Sequence, residues 1–194
     1  MRRHQMLCQG STRNSRHSAS FFARSAHLII MAAPPRPDPM FPSLSSHSLR
    51  GDRVTLPADC RGAVTLIAIA FQRGAQVMID SWYEPFSLEF GKIPGVWFYE
   101  IPMIGSAYWR VMSGWIDAGM RSGIPANKHP FVITYYGDVF PYRRELGMED
   151  PALAYLFLLD REGRIRWRAK GYAKEEDITS MNEHIRNLLK ELDS

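Results

Sequence analysis

The chain has 194 residues, 45% of them apolar, and a formal net charge of +4. This length and apolar content suffice for one domain of ordinary size with its own core. The positive charge lies in residues 1–49, which hold six arginines and one acid, whereas the remaining residues hold 18 basic and 19 acidic side chains. The overall charge therefore does not support nucleic-acid binding by the folded part.

Residues 1–49 have the composition of an organellar targeting segment followed by a linker. No acid precedes Asp38, and five serines lie between Ser11 and Ser25. Such a composition is typical of transit peptides, and mitochondrial and chloroplast leaders share it. The stretch 33–48 is rich in proline and serine and is predicted to be an unstructured linker. We therefore expect the folded domain to cover residues 50–194.

The first half of that domain is predicted to contain two strands and a helix. Residues 53–56 form a short opening strand, and residues 63–71 are apolar on both faces, as in a strand buried inside a sheet. The segment 76–90 has helical periodicity. Its predicted apolar face consists of Ile79, Trp82, Tyr83, Phe86 and Phe90.

The second half continues the alternation of strands and helices. The predicted elements are a strand at 95–101, a helix at 107–120, a strand at 131–136, a helical turn at 143–146, a hairpin of strands 156–159 and 164–169, and a helix at 174–192. This order predicts an α/β sandwich of thioredoxin type with a central mixed sheet.

The junction between the buried strand and its helix contains no cysteine. Thioredoxin-like enzymes place a reactive thiol there, because the helix N-terminus stabilises a thiolate. Here the junction is Phe71–Gln76, and the domain holds a single cysteine, Cys60, which precedes the strand. The sequence thus predicts a thioredoxin-like scaffold with no redox motif and an ordinary Cys60 thiol.

No cofactor, metal or catalytic motif is found in the remaining sequence. The two histidines of the predicted domain, His129 and His184, lie far apart, and no spacing resembles a zinc ligand set. Glycine-rich phosphate loops and nucleophile elbows are absent from the sequence. We expect no catalytic residue and no bound metal or cofactor.

Three segments resemble the mitochondrial ATPase-complex assembly factor family named for its tenth member. They are 71–82 (FQRGAQVMIDSW), 142–148 (YRRELGM) and 155–167 (YLFLLDREGRIRW). The first two are the more specific, because many thioredoxin-like proteins end in a hairpin similar to the third. The resemblance extends over roughly residues 50–190.

The resemblance implies a non-enzymatic assembly chaperone. Its expected client is subunit a of the Fo proton channel of ATP synthase, which it helps to install beside the c ring. Its expected location is the matrix side of the mitochondrial inner membrane, with peripheral association. The charge of the folded part separately predicts that no nucleic acid is a partner. The alternative is a thiol peroxidase or reductase that uses Cys60.

The helix predicted at 107–120 has an apolar arc of roughly 200°, about twice what a surface helix needs to cover a core. Methionine and tryptophan form adaptable contact surfaces. Either neighbouring elements cover the whole arc, or part of it contacts the client. The residues assigned to client binding are Tyr108, Trp109, Val111, Met112 and Trp115.

The strand near the C-terminus carries four alternating cations, namely Arg164, Arg166, Arg168 and Lys170. A period of two places all of them on one face. Three roles are compatible with that pattern: a solvated sheet edge that opposes aggregation, a contact with anionic lipid, or a nucleic-acid contact, which the near-neutral charge of the domain disfavours.

Overall fold

The computed structural model describes residues 38–60, 63–105 and 113–192, with all side chains in these ranges except those of 113–116 and 192. Its strands are β1 (Leu44–Ser48), β2 (Arg53–Leu56), β3 (Val64–Ala70), β4 (Val96–Ile104), β5 (Ile133–Tyr136), β6 (Tyr155–Leu159) and β7 (Ile165–Lys170). Its α-helices are α1 (Gln76–Phe90), α2 (Ser113–Gly123), α3 (Phe140–Leu146) and α4 (Glu175–Leu192).

The strands form one mixed sheet of seven, in the order β2-β1-β5-β4-β3-β6-β7. β3, β4 and β5 run parallel to one another, β6 is antiparallel to β3, and β7 is antiparallel to β6. β1 pairs antiparallel with both β2 and β5. The prediction of an α/β fold with a central mixed sheet is confirmed.

The sheet separates two apolar clusters. All seven residues of β3 are buried, so this strand contributes side chains to both faces. One face packs against α1 and α4 through residues such as Trp82 and Ile185. The other face is covered by the N-terminal segment and α3 through residues such as Phe41 and Leu146. Two buried faces are what β-branched, apolar strands of this kind require.

Trp82 anchors α1 to the sheet and to the C-terminal hairpin. Its side chain is fully buried, and its indole Nε1 donates a 2.8 Å hydrogen bond to the carbonyl oxygen of Gly171. The ring also meets Trp167 of β7 edge-on, with centroids 5.6 Å apart. Because a buried indole N–H needs a partner, this bond fixes the position of α1 along the sheet.

The expectation of an unstructured linker up to Ser48, with the domain starting at residue 50, is wrong. β1 occupies Leu44–Ser48, and the side chains of Phe41, Leu44 and Leu49 are at most 2% exposed. The serine-rich sequence of β1 did not predict a strand, because strand formation depends on pairing partners as much as on intrinsic propensity. Here Ser45 Oγ lies 2.9 Å from Thr55 Oγ1 on β2. The folded domain therefore includes residues 38–49.

Several boundaries also differ from the prediction. β4 continues to Ile104, three residues beyond the predicted end, although Pro102 lies within it. A 3-10 helix occupies Ala126–Phe131, so β5 begins at Ile133. α3 is a helix of seven residues rather than a single turn, with proline in its first turn, where a missing N–H costs nothing. α2 is described as far as Gly123.

Candidate functional site

The junction between β3 and α1 lies where the sequence predicted it. β3 ends at Ala70, and a 3-10 turn over Arg73–Ala75 leads into the helix at Gln76. No cysteine occupies these positions, so the helix N-terminus has no thiol to activate.

Cys60 is buried on the other side of the sheet. Its side chain is 1% exposed and belongs to the apolar cluster opposite α1. Burial raises the pKa of the thiol to about 12, and the nearby carboxylate of Asp59 acts in the same direction. A thiol of this kind is neither accessible nor ionised at neutral pH, which matches the expectation that Cys60 has no special reactivity.

We expect native Cys60 to react with a thiol reagent such as DTNB about a thousandfold more slowly at pH 8 than a free cysteine, because its thiolate is rare there. Reaction would be followed optically on the full chain carrying Cys8→Ser. The same protein in denaturant is the control and should react at the rate of an unhindered thiol. Rapid reaction of the native protein would contradict this account of Cys60.

A groove of about 1040 Å³ lies on the α1 face of the sheet. Its floor consists of β4 side chains, including Phe98 and Glu100, and one wall is formed by α1. The opposite wall is the second half of α2 and the segment that follows it, through residues such as Met120 and Ile124. The groove is largely apolar, and no histidine or cysteine of the described residues lines it.

Aromatic rings build the part of the groove nearest to α1. Phe98 meets Tyr83 edge-on, with centroids 5.1 Å apart, and lies 5.4 Å from the ring of Phe86. The ammonium group of Lys128 sits 3.8 Å from the centroid of the Tyr83 ring. This cation–π contact holds Lys128 against the wall of the groove.

Two carboxyl groups share one amide donor in the groove. The Nε2 atom of Gln76 donates to Asp80 Oδ1 at 3.1 Å and to Glu100 Oε2 at 3.4 Å. Burial raises the pKa of Glu100, and the nearby charge of Asp80 raises it further, whereas Gln76 and Lys128 lower it. The net shift is upward, so desolvation outweighs the local stabilisation of the carboxylate.

This arrangement is suited to binding rather than to chemistry at a nucleophile. It offers apolar surface, one carboxyl group in a desolvated position and no thiol or imidazole among the described residues that line it. Elsewhere in the described chain, no cluster of three or more His, Cys, Asp or Glu side chains is placed to hold a metal ion.

The sequence pattern did not predict a functional role for Glu100, Gln76 or Lys128. One signal was available, because Glu100 is the only charged residue within β4, whose sequence is VWFYEIPMI. A lone acid inside a strand of a covered sheet needs either a partner or access to a cavity. The groove provides that access.

None of the five predicted client-binding side chains belongs to the part of the chain that the structure describes. Tyr108, Trp109, Val111 and Met112 lie outside the described residues, as does the side chain of Trp115 within α2. Their assignment stays a prediction. Met120, on the same predicted apolar arc, is half-buried and lines the groove.

The prediction that the four cations of β7 share one face is wrong. A register shift between Leu158 and Leu159 of β6 interrupts the alternation, so Ile165 packs in one apolar cluster and Trp167 in the other. Such a bulge leaves one extra residue on the strand and turns the side chains after it to the other face.

The four cations also differ in their surroundings. Arg166 forms ion pairs with Asp38 at 3.1 Å and with Asp160 and Glu191 at 3.3 Å each. Arg168 lies over the ring of Phe157, and its Nη1 donates to the carbonyl oxygen of Leu146. Arg164 and Lys170 are exposed. These residues lie on the edge strand, separated from the floor of the groove by β3 and β6.

Solved structures similar to this one share its fold. A thiol:disulfide interchange protein of the thioredoxin family from Chlorobium tepidum TLS is 17% identical, with a TM-score of 0.51 over 81% of this chain and 99% of that chain. A candidate protein disulfide isomerase from Bacteroides thetaiotaomicron is 20% identical, with a TM-score of 0.54 over 78% and 88%. The thioredoxin domain of a thiol-disulfide oxidoreductase from Bacteroides vulgatus is 15% identical, with a TM-score of 0.51 over 76% and 96%. At such identities the likeness establishes a thioredoxin-like fold and nothing about activity.

A family model assigns the chain to a protein family, which the fold alone does not do. The model described as ATP10 protein matches residues 39–188, which include β1 and the whole groove. No curated protein sequence matches the chain significantly. The matched range contains the three segments that resemble this family. It begins at residue 39, before β1, which agrees with a folded domain that includes residues 38–49. The chain therefore belongs to the ATP10 family of ATP synthase assembly proteins.

Proposed function

We propose that the protein is a non-enzymatic chaperone that binds subunit a of the Fo proton channel and assists its incorporation beside the c ring. Its role in ATP synthase assembly follows from the family. The choice of client and the absence of catalysis are our proposals. The single observation that favours a binding role is the largely apolar groove of about 1040 Å³, which lacks a thiol among its described lining residues.

The alternative, a thiol peroxidase or reductase, depends on Cys60. That side chain is buried on the sheet face opposite α1, and burial raises its pKa to about 12. The similar solved structures named above include disulfide oxidoreductases, but their reactive chemistry needs a thiolate near a helix N-terminus. The corresponding junction here holds Arg73, Gly74 and Ala75. We therefore favour the non-enzymatic function.

A position on the matrix side of the mitochondrial inner membrane is likewise a proposal. Among the described residues, no helix has the length and hydropathy needed to cross a bilayer. We assign contact with anionic lipid to Arg168 and Lys170, which follow the bulge and lie on one face of β7, because Arg166 is already paired with three carboxylates. Each such cation near an anionic surface contributes about 1 kcal/mol.

Two glycines of α2 allow the groove to be filled without disturbing the core. Gly119 and Gly123 both line the groove, and a Cβ built at either position meets no atom within 4 Å. Replacing glycine inside a helix also removes its entropic penalty, so such variants should fold. Side chains added here occupy the space that we assign to the client.

We expect Gly119→Trp and Gly123→Trp to reduce the recovery of subunit a about tenfold or more, which corresponds to a loss of roughly 1.4 kcal/mol in binding. The full chain would be produced in mitochondria that lack the native protein and purified from a mild detergent extract, with subunit a quantified by mass spectrometry. The content of assembled ATP synthase should fall in parallel.

Leu88→Trp is the matched control, because Leu88 is exposed on α1 and does not line the groove. It should leave both the recovery of subunit a and the melting temperature unchanged. If the wild-type protein recovers no subunit a, the proposed client is wrong. If Gly119→Trp recovers as much as the wild type, the client binds elsewhere on the protein.

A further inference from the structure

The groove is shaped for a helix rather than for an extended peptide. An extended peptide binds a sheet by adding to an edge whose backbone groups are free. The floor strand β4 pairs with β3 over Val96–Pro102 on one side. On its other side it bridges Val132 from Glu100 and pairs with β5 at Met103 and Ile104, so only residues 96–99 lack a strand partner there among the described residues. What β4 presents to the groove is side chains. A helix satisfies its own backbone hydrogen bonds and needs only apolar contact.

The wall formed by α2 permits close approach of a second helix. Gly119 and Gly123 are four residues apart, so they lie on one side of α2, and both line the groove. Neither has an atom within 4 Å of the position that a Cβ would take. Small residues at this spacing let two helix backbones come together, as in helix pairs within membranes. The space over these glycines therefore matches the backbone of an incoming helix.

The floor of the groove adds a charge to this apolar surface. Glu100 is half-buried, and among the described residues it accepts a hydrogen bond from Gln76 at 3.4 Å. Lys128, whose charge lowers the pKa of Glu100, is held over the Tyr83 ring, and no ion pair between Lys128 and Glu100 is formed. A carboxylate in such a place is costly until a cation reaches it, which is consistent with the raised pKa of Glu100.

We propose that the groove binds an apolar helix that carries one basic side chain, and that Glu100 pairs with this side chain. The proposal rests on the assembly function above, because it describes the part of the client that the groove receives. Gln76 and Asp80 hold the carboxyl group of Glu100 in place, while the aromatic wall contacts the apolar surface of the helix. A charge-assisted hydrogen bond formed in such a desolvated position contributes more than one at a surface.

The test uses two synthetic peptides that differ in a single charge. One is a leucine–alanine helix of about 20 residues with a central arginine, and the other carries citrulline there, which is neutral and nearly the same shape. Binding to the full-length protein in detergent micelles would be measured by fluorescence anisotropy at neutral pH. We expect the wild type to bind the arginine peptide about tenfold more tightly than the citrulline peptide.

Glu100→Gln should abolish this preference while leaving the weaker binding of the citrulline peptide unchanged. Glu84→Gln is the matched control, since it makes the same substitution at an exposed position of α1 outside the groove. It should keep the tenfold preference. Melting temperatures of both variants, expected near that of the wild type, exclude unfolding as the cause.

Three results overturn the inference: equal binding of both peptides by the wild type, no binding of either, or a preference that persists in Glu100→Gln. The failure of the proposed function gives a different result, because it is read from the recovery of subunit a by the wild-type protein. If the wild type recovers subunit a but shows no preference for the arginine peptide, the function stands and the role of Glu100 is wrong.

Discussion

Removal of residues 1–50 is expected to unfold the domain, whereas removal of residues 1–37 is expected to leave its thermal stability unchanged. The longer deletion removes β1, which lies between β2 and β5, together with the buried side chains of Phe41, Leu44 and Leu49. Each of these contributes about 1.5–3 kcal/mol by burial, so together they contribute roughly 5–9 kcal/mol. That sum is comparable with the whole stability of a typical domain, about 5–15 kcal/mol.

The measurement is thermal unfolding of both truncated proteins beside the full chain. The protein that starts at Asp38 is the matched control, because it keeps every core residue named here, as well as the ion pair between Asp38 and Arg166. A cooperative transition at the temperature of the full chain in the protein that starts at Gly51 would show that β1 is dispensable. Equal losses in both truncated proteins would show that residues 1–37 also stabilise the domain.

Trp82→Ala is expected to destabilise the protein by about 3–5 kcal/mol, as truncation of a large buried aromatic does. The side chain is fully buried, packs edge-on against Trp167 and donates a hydrogen bond to Gly171. Trp82→Phe keeps a ring and should lose about 1–3 kcal/mol, largely from the unpaired carbonyl group of Gly171. Equilibrium unfolding in urea measures both losses.

The same variants test whether the groove depends on the position of α1. Because α1 supplies Gln76 and Asp80, loosening it should also lower the recovery of subunit a. Val77→Ala is the control, since Val77 is 55% exposed on the same helix and should change stability by less than about 0.5 kcal/mol. A small loss for Trp82→Ala would mean that the contact with the C-terminal hairpin does not position α1.

The elements that short-range patterns define were predicted closely. β2 and α1 have the predicted bounds, 53–56 and 76–90. In α1 the aromatic residues recur at the spacing of one helix face, and this spacing is sufficient to predict a helix with that face buried. β3 was predicted within one residue at each end, because a short, β-branched run that is apolar on both faces is typical of a covered strand.

Elements whose stability depends on distant partners were predicted poorly. β1 is serine-rich, and its strand geometry is fixed by pairing with β2 and β5, which lie up to about ninety residues away in the chain. The bulge before Trp167 arises from the pairing of β7 with β6, and the residues of β7 do not predict it. Alternation along one strand predicts faces only where the register is uninterrupted.

The sequence by itself determined the fold class, the absence of a cysteine at the β3–α1 junction and the segments shared with the ATP10 family, because these depend on residue identity and local periodicity. Only the tertiary structure decided where the domain begins, which of the β7 cations are paired, and that Glu100 meets Gln76 and Asp80 in an apolar groove. The physical reason is that burial, ion pairing and the pKa of a carboxyl group depend on atoms brought together by folding. Gln76 and Glu100 are 24 residues apart in the chain, so a local pattern can single out Glu100 as a lone acid in β4 but cannot identify its partner.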